Sequence, residues 1–348
     1  MSFDLGKLGV KKNIPKVNFT EYSGILSAPP KWGKTTMASM YPNAILLAFE
    51  KGYKAQSVNV KDINEWEDFV EFVDLLEDHR EEIADNIQTI IIDTVNEAYL
   101  MAEPYMCKKE SIKDGKKYRN KKDIPYGQGW NLHDSYFREQ ISRIYALGFE
   151  ITYITHSQVK TFRPKDGEEY DVYKTSMPDR LENIIFPECD YILYGQRIKI
   201  DDGNGNKVIK RMMTTRGTDD LEAGNRVYLS EDIIFDTEEE AMAKFQKLFR
   251  ESIENNLHKA GIIGDIDQIA KQQKQEKQQQ INEYLEEKNA IDVEKNEELI
   301  KQIAVKVQST TEVGKQKMKE IMKKNDITSF KDTEVIKTSA LEEIVSVL

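Results

Sequence analysis

Apolar residues recur along this chain in two rhythms. Short unbroken runs fit strands buried on both faces: "YSGILSA" (Tyr22 to Ala28), "AILLAFE" (Ala44 to Glu50), "NIQTIIIDT" (Asn86 to Thr94), "GFEITYITHS" (Gly148 to Ser157) and "CDYILYG" (Cys189 to Gly195). Between them, "INEWEDFVEFVDLLEDHREEI" and "NLHDSYFREQISRIYALG" place apolar residues at helical spacing. This alternation predicts an α/β fold with a mainly parallel twisted sheet. After Tyr194, "QRIKIDDGNGNKVIKRMMTTRG" predicts a terminal β-hairpin around a Gly/Asn/Asp turn. "RVYLSEDIIF" offers one more strand, and "TEEEAMAKFQKLFRESIENNL" a long helix.

The pattern then gives way to "KQQKQEKQQQ" (Lys271 to Gln280), a polar low-complexity tract, and from Ile281 onward everything reads helical. The expected organisation is an N-terminal arm (1–19), an α/β core (20–264), a polar helical linker (265–290) and a small C-terminal helical module (291–348). At 348 residues with 39% hydrophobic content, the chain is long enough for one sizeable core and a second small unit. No apolar run reaches membrane-spanning length, and the N-terminus lacks the apolar stretch of a signal peptide. The two cysteines, Cys107 and Cys189, are far apart and lack metal-ligand spacing, so a cytoplasmic location without membrane partners is expected. A formal net charge of −11 argues against coating nucleic acid by bulk charge, while leaving local basic segments free to do so.

The chemistry begins at "SAPPKWGKTTMA" (Ser27 to Ala38). It nearly spells the phosphate loop G-x-x-x-x-G-K-[ST], with Ala28 in place of the first glycine. In such a loop successive backbone N–H groups converge on a phosphate. Pro29 and Pro30 have no N–H but fall in the half that shapes the bend. Lys31 completes that half, and the amides of Trp32, Gly33, Lys34 and Thr35 form the cradle, with Thr36 opening the helix. Lys34 would reach the β- and γ-phosphates of ATP, and the Thr35 hydroxyl would ligate Mg²⁺. A methyl at position 28 is tolerable if that residue keeps a negative φ. Asp93 closes "TIIID"; on a buried strand next to the loop strand it would hold the metal's water shell, with a turn cap as the plainer alternative. Glu50, ending the strand that follows the loop helix, can orient or deprotonate the attacking water or simply face solvent. "YITHSQ" ends its strand with Thr155, His156 and Gln158, where a polar side chain can sense a γ-phosphate. His79, His133 and His258 read as helical surface residues.

The order of these features resembles the RecA-like ATPase core. "APPKWGKTT", "AFEKG", "TIIIDT" and "YITHSQVK" look closest to the phage RecA-like single-strand annealing ATPases of the Sak type, over roughly residues 20–250. The resemblance implies a RecA-like P-loop NTPase core, ATP held between subunits of a ring or filament, and single-stranded DNA as partner. It makes Glu50 the catalytic glutamate and puts His156 where the family's glutamine couples nucleotide to a DNA loop. Ala28 and His156 depart from the family pattern.

Two long loops are expected to carry DNA. The first, Tyr105 to Trp130, is rich in cations: Lys108, Lys109, Lys113, Lys116, Lys117, Arg119, Lys121 and Lys122 can follow a phosphate backbone while aromatics such as Tyr118 stack on bases. The second, Gln158 to Arg180, contributes Lys160, Phe162 and Arg163. A charge run is more often a solvated face, so the first loop draws its weight from its compactness on an acidic chain. The resemblance also makes Arg216 a candidate finger reaching a neighbour's γ-phosphate. The helical tail can dock a single-strand binding protein or another subunit, or cap the core. Rival readings are a P-loop kinase of a small substrate and a nucleotide-gated protein-interaction switch with little turnover.

Overall fold

Strand β1 (Gly24–Ala28) is buried at every position and lies inside a ten-stranded sheet. Its neighbours β5 (Glu150–Phe162) and β7 (Tyr191–Asp201) both run parallel to it. Beyond β5 follow β4 (Thr89–Asp93), β2 (Ala44–Ala48) and β3 (Asn59–Asp62), all parallel. Beyond β7 the sheet turns antiparallel through β8 (Lys207–Thr214) and β10 (Ile233–Phe235). The path is β10-β8-β7-β1-β5-β4-β2-β3, with β6 (Tyr170–Thr175) paired to β5 and β9 (Gly224–Asn225) to β7. The α/β class, the mainly parallel sheet and the hairpin that closes it are therefore as the apolar rhythm predicts. This computed structural model describes residues 13–348 apart from Asp85, Asp202, Asn204, Ile263, Asp332 and Glu334. Residues 1–12 of the expected N-terminal arm lie outside the described residues.

Three expectations are corrected. The Asp93 strand is not next to the loop strand, because β5 is inserted between β1 and β4. The segment after the fourth apolar run is no loop: β5 continues past His156 and pairs with β6, placing Phe162 opposite Tyr170 and Thr161 opposite Asp171. Alternation of β-branched and aromatic residues with polar ones carries that ladder. The basic stretch after Tyr105 is largely helix, since α3 runs Val95–Asp114. Its Lys and Glu residues are good helix formers, and Met106, Cys107, Tyr118 and Ile124 bury a small apolar cluster that folds the chain back.

The chain forms two compact units. The first comprises residues up to Ile63, Glu81–Ala98 and Phe149–Glu276. It holds the sheet, the short α1 (Lys34–Ala38), α5 (Asp179–Ile185) and the long α6 (Glu238–Lys259). One of its cores joins β1 to α6 through Tyr191, Phe245 and Phe249, whose rings meet edge to face at 5.6–6.2 Å. The Tyr191 ring occupies the space a Cβ on Gly24 would need, so only glycine fits there.

The second unit comprises Asn64–Arg80, Tyr99–Gly148 and Lys277–Leu348. It contains α2 (Trp66–Asp78), most of α3, α4 (Gln128–Ala146), the end of α7 (Ile266–Asn289), α8 (Val293–Ser309), α9 (Glu312–Lys324) and α10 (Thr338–Val347). The tail has an apolar cluster of its own around Leu299, Ile303, Ile321, Leu341 and Ile344. Polar bonds also tie it to α2: Tyr284 donates to Glu77 at 2.9 Å, Lys288 pairs with the same carboxylate, and Lys324 meets Asp74 at 2.6 Å. The tail thus belongs to one unit with α2 and α4, whereas the sequence pattern set it apart as a module. Both cysteines are buried and unpaired. Among the described residues no helix is long and apolar enough to cross a membrane.

Candidate nucleotide-binding site

The loop after β1 bends through two residues with positive φ, Lys31 (59°) and Gly33 (110°). Ala28 still belongs to β1, in register with His156, and keeps a negative φ. Its methyl faces Gly195 on β7: a Cβ there would lie 2.7 Å from Ala28 Cβ and 2.6 Å from the Trp32 ring. The room that the loop lacks at position 28 is thus left open across the sheet. Among the described residues the amides of Trp32, Gly33, Lys34, Thr35 and Thr36 have no hydrogen-bond partner. Unspent consecutive N–H groups of this kind form an anion-binding concavity.

Lys34 is buried and folds back on the loop, donating to Ala28 O at 2.8 Å and Pro29 O at 3.2 Å, with His156 Nδ1 at 3.2 Å. Burial pulls its ammonium down to about 8, against the raising influence of Asp93 and Glu50. An anionic ligand in the concavity offers this cation a better partner than neutral carbonyls do. The Thr35 hydroxyl donates to Asp93 Oδ2 at 2.6 Å. Burial raises the Asp93 carboxyl above its ordinary range, and neighbouring Glu50 adds to the rise while the Thr35 hydrogen bond opposes it.

Glu50 follows β2 and is fixed from two sides. Its amide donates to Asp93 O at 3.0 Å, and its carboxylate accepts from the Thr94 hydroxyl at 2.7 Å. His156 Nε2 lies 3.7 Å from Glu50 Oε2, so one imidazole touches Lys34 with one nitrogen and approaches Glu50 with the other. Thr155 donates to Asn96 at 2.6 Å, and Gln158 donates to Thr175 O at 2.9 Å. The structure therefore brings Lys34, Thr35, Glu50, Asp93 and His156 together. One hydroxyl and one buried carboxylate suit a hard cation that arrives with phosphate oxygens and water, as Mg²⁺ does. Among the described residues no group of three or more His, Cys, Asp or Glu could hold a metal alone.

Sequence reasoning missed what grips the loop from behind. Trp32 is fully buried and its indole donates to Gln196 O at 3.1 Å. Arg197 on β7 donates to Lys31 O at 3.1 Å, and Arg211 on β8 donates to Trp32 O at 3.1 Å. Arg211 is itself paired with Glu238 at 2.5 Å and lies 4.9 Å from the centre of the Phe235 ring. The strand patterns "YILYGQRIKID" and "KVIKRMMT" single out neither arginine, and only the hairpin's register on the loop reveals them.

The expected DNA residues divide. Lys116, Lys117, Arg119 and Lys122 are exposed, as is Tyr126 at 98%. Lys108 is paired with Glu67 at 2.6 Å, Lys113 with Glu110 at 3.6 Å, and Lys109 sits 5.1 Å from the Tyr105 ring centre. Tyr118 is buried with its hydroxyl on Asp114, so it has no free face for a base. Lys121 is enclosed by Glu103 (2.9 Å), His133 (3.2 Å) and the Trp130 ring (4.4 Å) and acts as an internal tie. His133 is fully buried, not on a surface, and its Nε2 lies 2.7 Å from Tyr99 O. Lys160, Phe162 and Arg163 are exposed on the β5–β6 hairpin, with Arg163 3.0 Å from Glu169. Arg216 is exposed and has no partner among the described residues. Thr214, which pairs with Tyr194 beside Ser27, ends β8 running away from the loop, so Arg216 is not part of its own chain's nucleotide site.

A family model described as "AAA domain" matches residues 20–227 of the chain. The chain is also 25% identical over 276 residues to the SPbeta prophage-derived uncharacterized protein YorG of Bacillus subtilis (strain 168), covering 76% of each sequence. The match encloses the loop of unspent amides, Lys34, the Thr35–Asp93 contact, Glu50 and His156. This chain belongs to the AAA domain family of P-loop ATPases.

Proposed function

We propose that the protein binds and hydrolyses ATP with Mg²⁺ and uses the nucleotide to control its grip on single-stranded DNA, promoting annealing or strand exchange as a phage-type recombinase. The observation that carries this reading is the continuity of β5. His156 touches Lys34 and approaches Glu50, and the same strand runs on without a break into the hairpin bearing Lys160, Phe162 and Arg163. A ligand that pulls Lys34 away from His156 acts directly on the base of that hairpin. Phe162 and Tyr170 are half-exposed with ring centres 5.4 Å apart, a surface on which bases can stack beside cations. The exposed Lys116, Lys117, Arg119, Lys122 and Tyr126 offer a second such surface.

In this reading Lys34 binds the β- and γ-phosphates, Thr35 and Asp93 hold the Mg²⁺ that neutralises phosphate charge, and Glu50 orients the water. Thr94 and the Asp93 carbonyl fix Glu50 for that role. The protein assembles into a homo-oligomer in which Arg216, exposed and turned from its own site, serves a neighbouring subunit's nucleotide. The test is fluorescence anisotropy of a labelled single-stranded oligonucleotide, with and without ATP–Mg²⁺, for wild type and Lys34→Ala. Binding that changes with ATP only in the wild type supports the proposal. No DNA binding in either state at low salt, where phosphate contacts are strongest, overturns it in favour of a switch acting on a protein partner.

A further inference from the structure

We propose that Arg197 and Arg211 are positioning residues of the nucleotide site: by capping carbonyls on the back of the phosphate loop, they aim its amides at the phosphates. The proposal rests on the reading of Ala28–Thr36 as a working loop. It begins with an unfavourable pairing. Arg197 and Arg211 are direct cross-strand partners in the β7–β8 ladder. Like charges placed opposite one another destabilise a hairpin, so the pair needs another reason. Both guanidiniums are spent on consecutive loop carbonyls, Arg197 on Lys31 O and Arg211 on Trp32 O, each at 3.1 Å.

A trans peptide is planar, with its C=O and N–H pointing opposite ways. Among the described residues the single cis bond is Asp93–Thr94, so both loop peptides are trans. A guanidinium that holds the Lys31 carbonyl therefore turns the Trp32 N–H the other way, and one that holds the Trp32 carbonyl does the same for Gly33. These are the first two of the unspent amides. The hold matters because Lys31 sits at a φ of 59°, a conformation that a non-glycine residue adopts only uncommonly. Arg211 is anchored in turn by Glu238 through both terminal nitrogens, by Asp236 O and by the Phe235 ring, which meets Trp32 edge-on at 5.3 Å. A Cβ on Gly33 would run into Glu238 and come within 3.0 Å of Arg211. Only a forked, planar cation can serve a carbonyl, a carboxylate and a second carbonyl together.

The test titrates wild type, Lys34→Ala, Arg211→Lys and Glu238→Gln with a fluorescent ATP analogue in Mg²⁺, then competes it with inorganic pyrophosphate; thermal melts confirm folding. Arg211→Lys keeps the charge and loses the fork, so affinity for both ligands should fall about tenfold and by the same ratio. Glu238→Gln separates positioning from field. Removing a negative charge near the phosphates would by itself tighten binding, whereas loss of the anchor should weaken it about threefold. Wild-type affinity in both variants, or tighter binding by Glu238→Gln, overturns the proposal. If Arg211→Lys does not fold, Arg197→Gln decides, since its side chain has Lys31 O as its one partner among the described residues. Weakening supports the clamp and unchanged affinity refutes it. Wild type that ignores ATP overturns the phosphate-loop reading as well. Binding lost in Lys34→Ala but intact in the clamp variants overturns the clamp alone.

Discussion

The Thr35 hydroxyl donates to Asp93 Oδ2 at 2.6 Å although a whole strand, β5, separates the strands that deliver them. The loop and α1 carry Thr35 across β5 at the level of Ile154 to His156, and the strand runs on beyond it to Phe162. A buried carboxylate holding a hydroxyl is poised for a cation that takes both oxygens. We expect wild-type ATP affinity to fall when Mg²⁺ is chelated and Asp93→Asn to bind ATP equally with or without the metal. Hydrolysis by Asp93→Asn should fall by about 100-fold. Titration of a fluorescent ATP analogue in Mg²⁺ and in EDTA, with phosphate release alongside, checks both. A metal response that survives in Asp93→Asn would remove this residue from the metal site.

Ala28 suggests a damaged loop in the sequence and a fitted one in the structure. Its methyl and the Trp32 ring fill the space over Gly195. Restoring the usual glycine by Ala28→Gly should not improve ATP affinity. It should cost about 1 kcal/mol of stability through chain entropy and a lost buried methyl. Gly195→Ala drives a methyl into the Trp32 ring and should cost about 1–3 kcal/mol, with weaker ATP binding because Trp32 belongs to the loop. Denaturant melts and ATP titrations of both variants test the fit, and tighter nucleotide binding by Ala28→Gly would contradict it.

Lys121 and Lys122 are neighbours with different fates. Lys121 is tied to Glu103 and Trp130, whereas Lys122 is exposed. Lys121→Ala should lower stability by about 1–2 kcal/mol, since it leaves Glu103 without its cation. Lys122→Ala should leave the melt unchanged and reduce the salt dependence of single-stranded DNA binding by about 0.7 in log–log slope, one phosphate contact. A salt slope that Lys122→Ala leaves unchanged would show that this exposed residue has no part in binding.

Strands β1, β2, β4, β5 and β7 were legible because each begins as a short, nearly unbroken apolar run. Asp93, Glu50 and His156 stand where such a run ends, with Lys34 and Thr35 just beyond one. By contrast β3 (NVKD) and β6 (YDVYKT) have no such run and escaped the pattern. Position at a strand end is a local property that the sequence carries. Register is not local. Nothing near Asp93 says that β5 intervenes before β1, and nothing near Arg197 or Arg211 says that a hairpin will lay them on the loop's carbonyls. The basic stretch misled for a different reason. Lysines at helical and loop positions read alike, and the burial of Tyr118 and Lys121 depends on partners at Asp114, Glu103 and Trp130. The tail's attachment was hidden in the same way, in single polar residues of α2 that look like surface charges.

Glu77 receives two of the polar bonds that tie the tail to α2, from Tyr284 and Lys288. Its side chain is 7% exposed, and it receives Arg143, Lys288 and the Tyr284 hydroxyl. Burial by itself would raise its carboxyl, but the hydrogen bonds from Arg143 and Lys288 outweigh burial and hold it below the ordinary value of 4.5. A carboxyl depressed in the folded state stabilises fully above its unfolded value, and that stabilisation disappears as pH falls through the folded value. Glu77→Gln keeps the shape and removes the charge, so it should cost about 2 kcal/mol at pH 7, a figure reduced for the partial exposure of its cations. The gap between the wild-type and Glu77→Gln melting curves should then narrow steadily below about pH 4.5. Lys288→Ala should reproduce part of the loss and be nearly silent when combined with Glu77→Gln, because the two share one interaction. A gap that stays constant from pH 7 to pH 3 would mean that the negative charge of this carboxylate contributes nothing to holding the tail to α2.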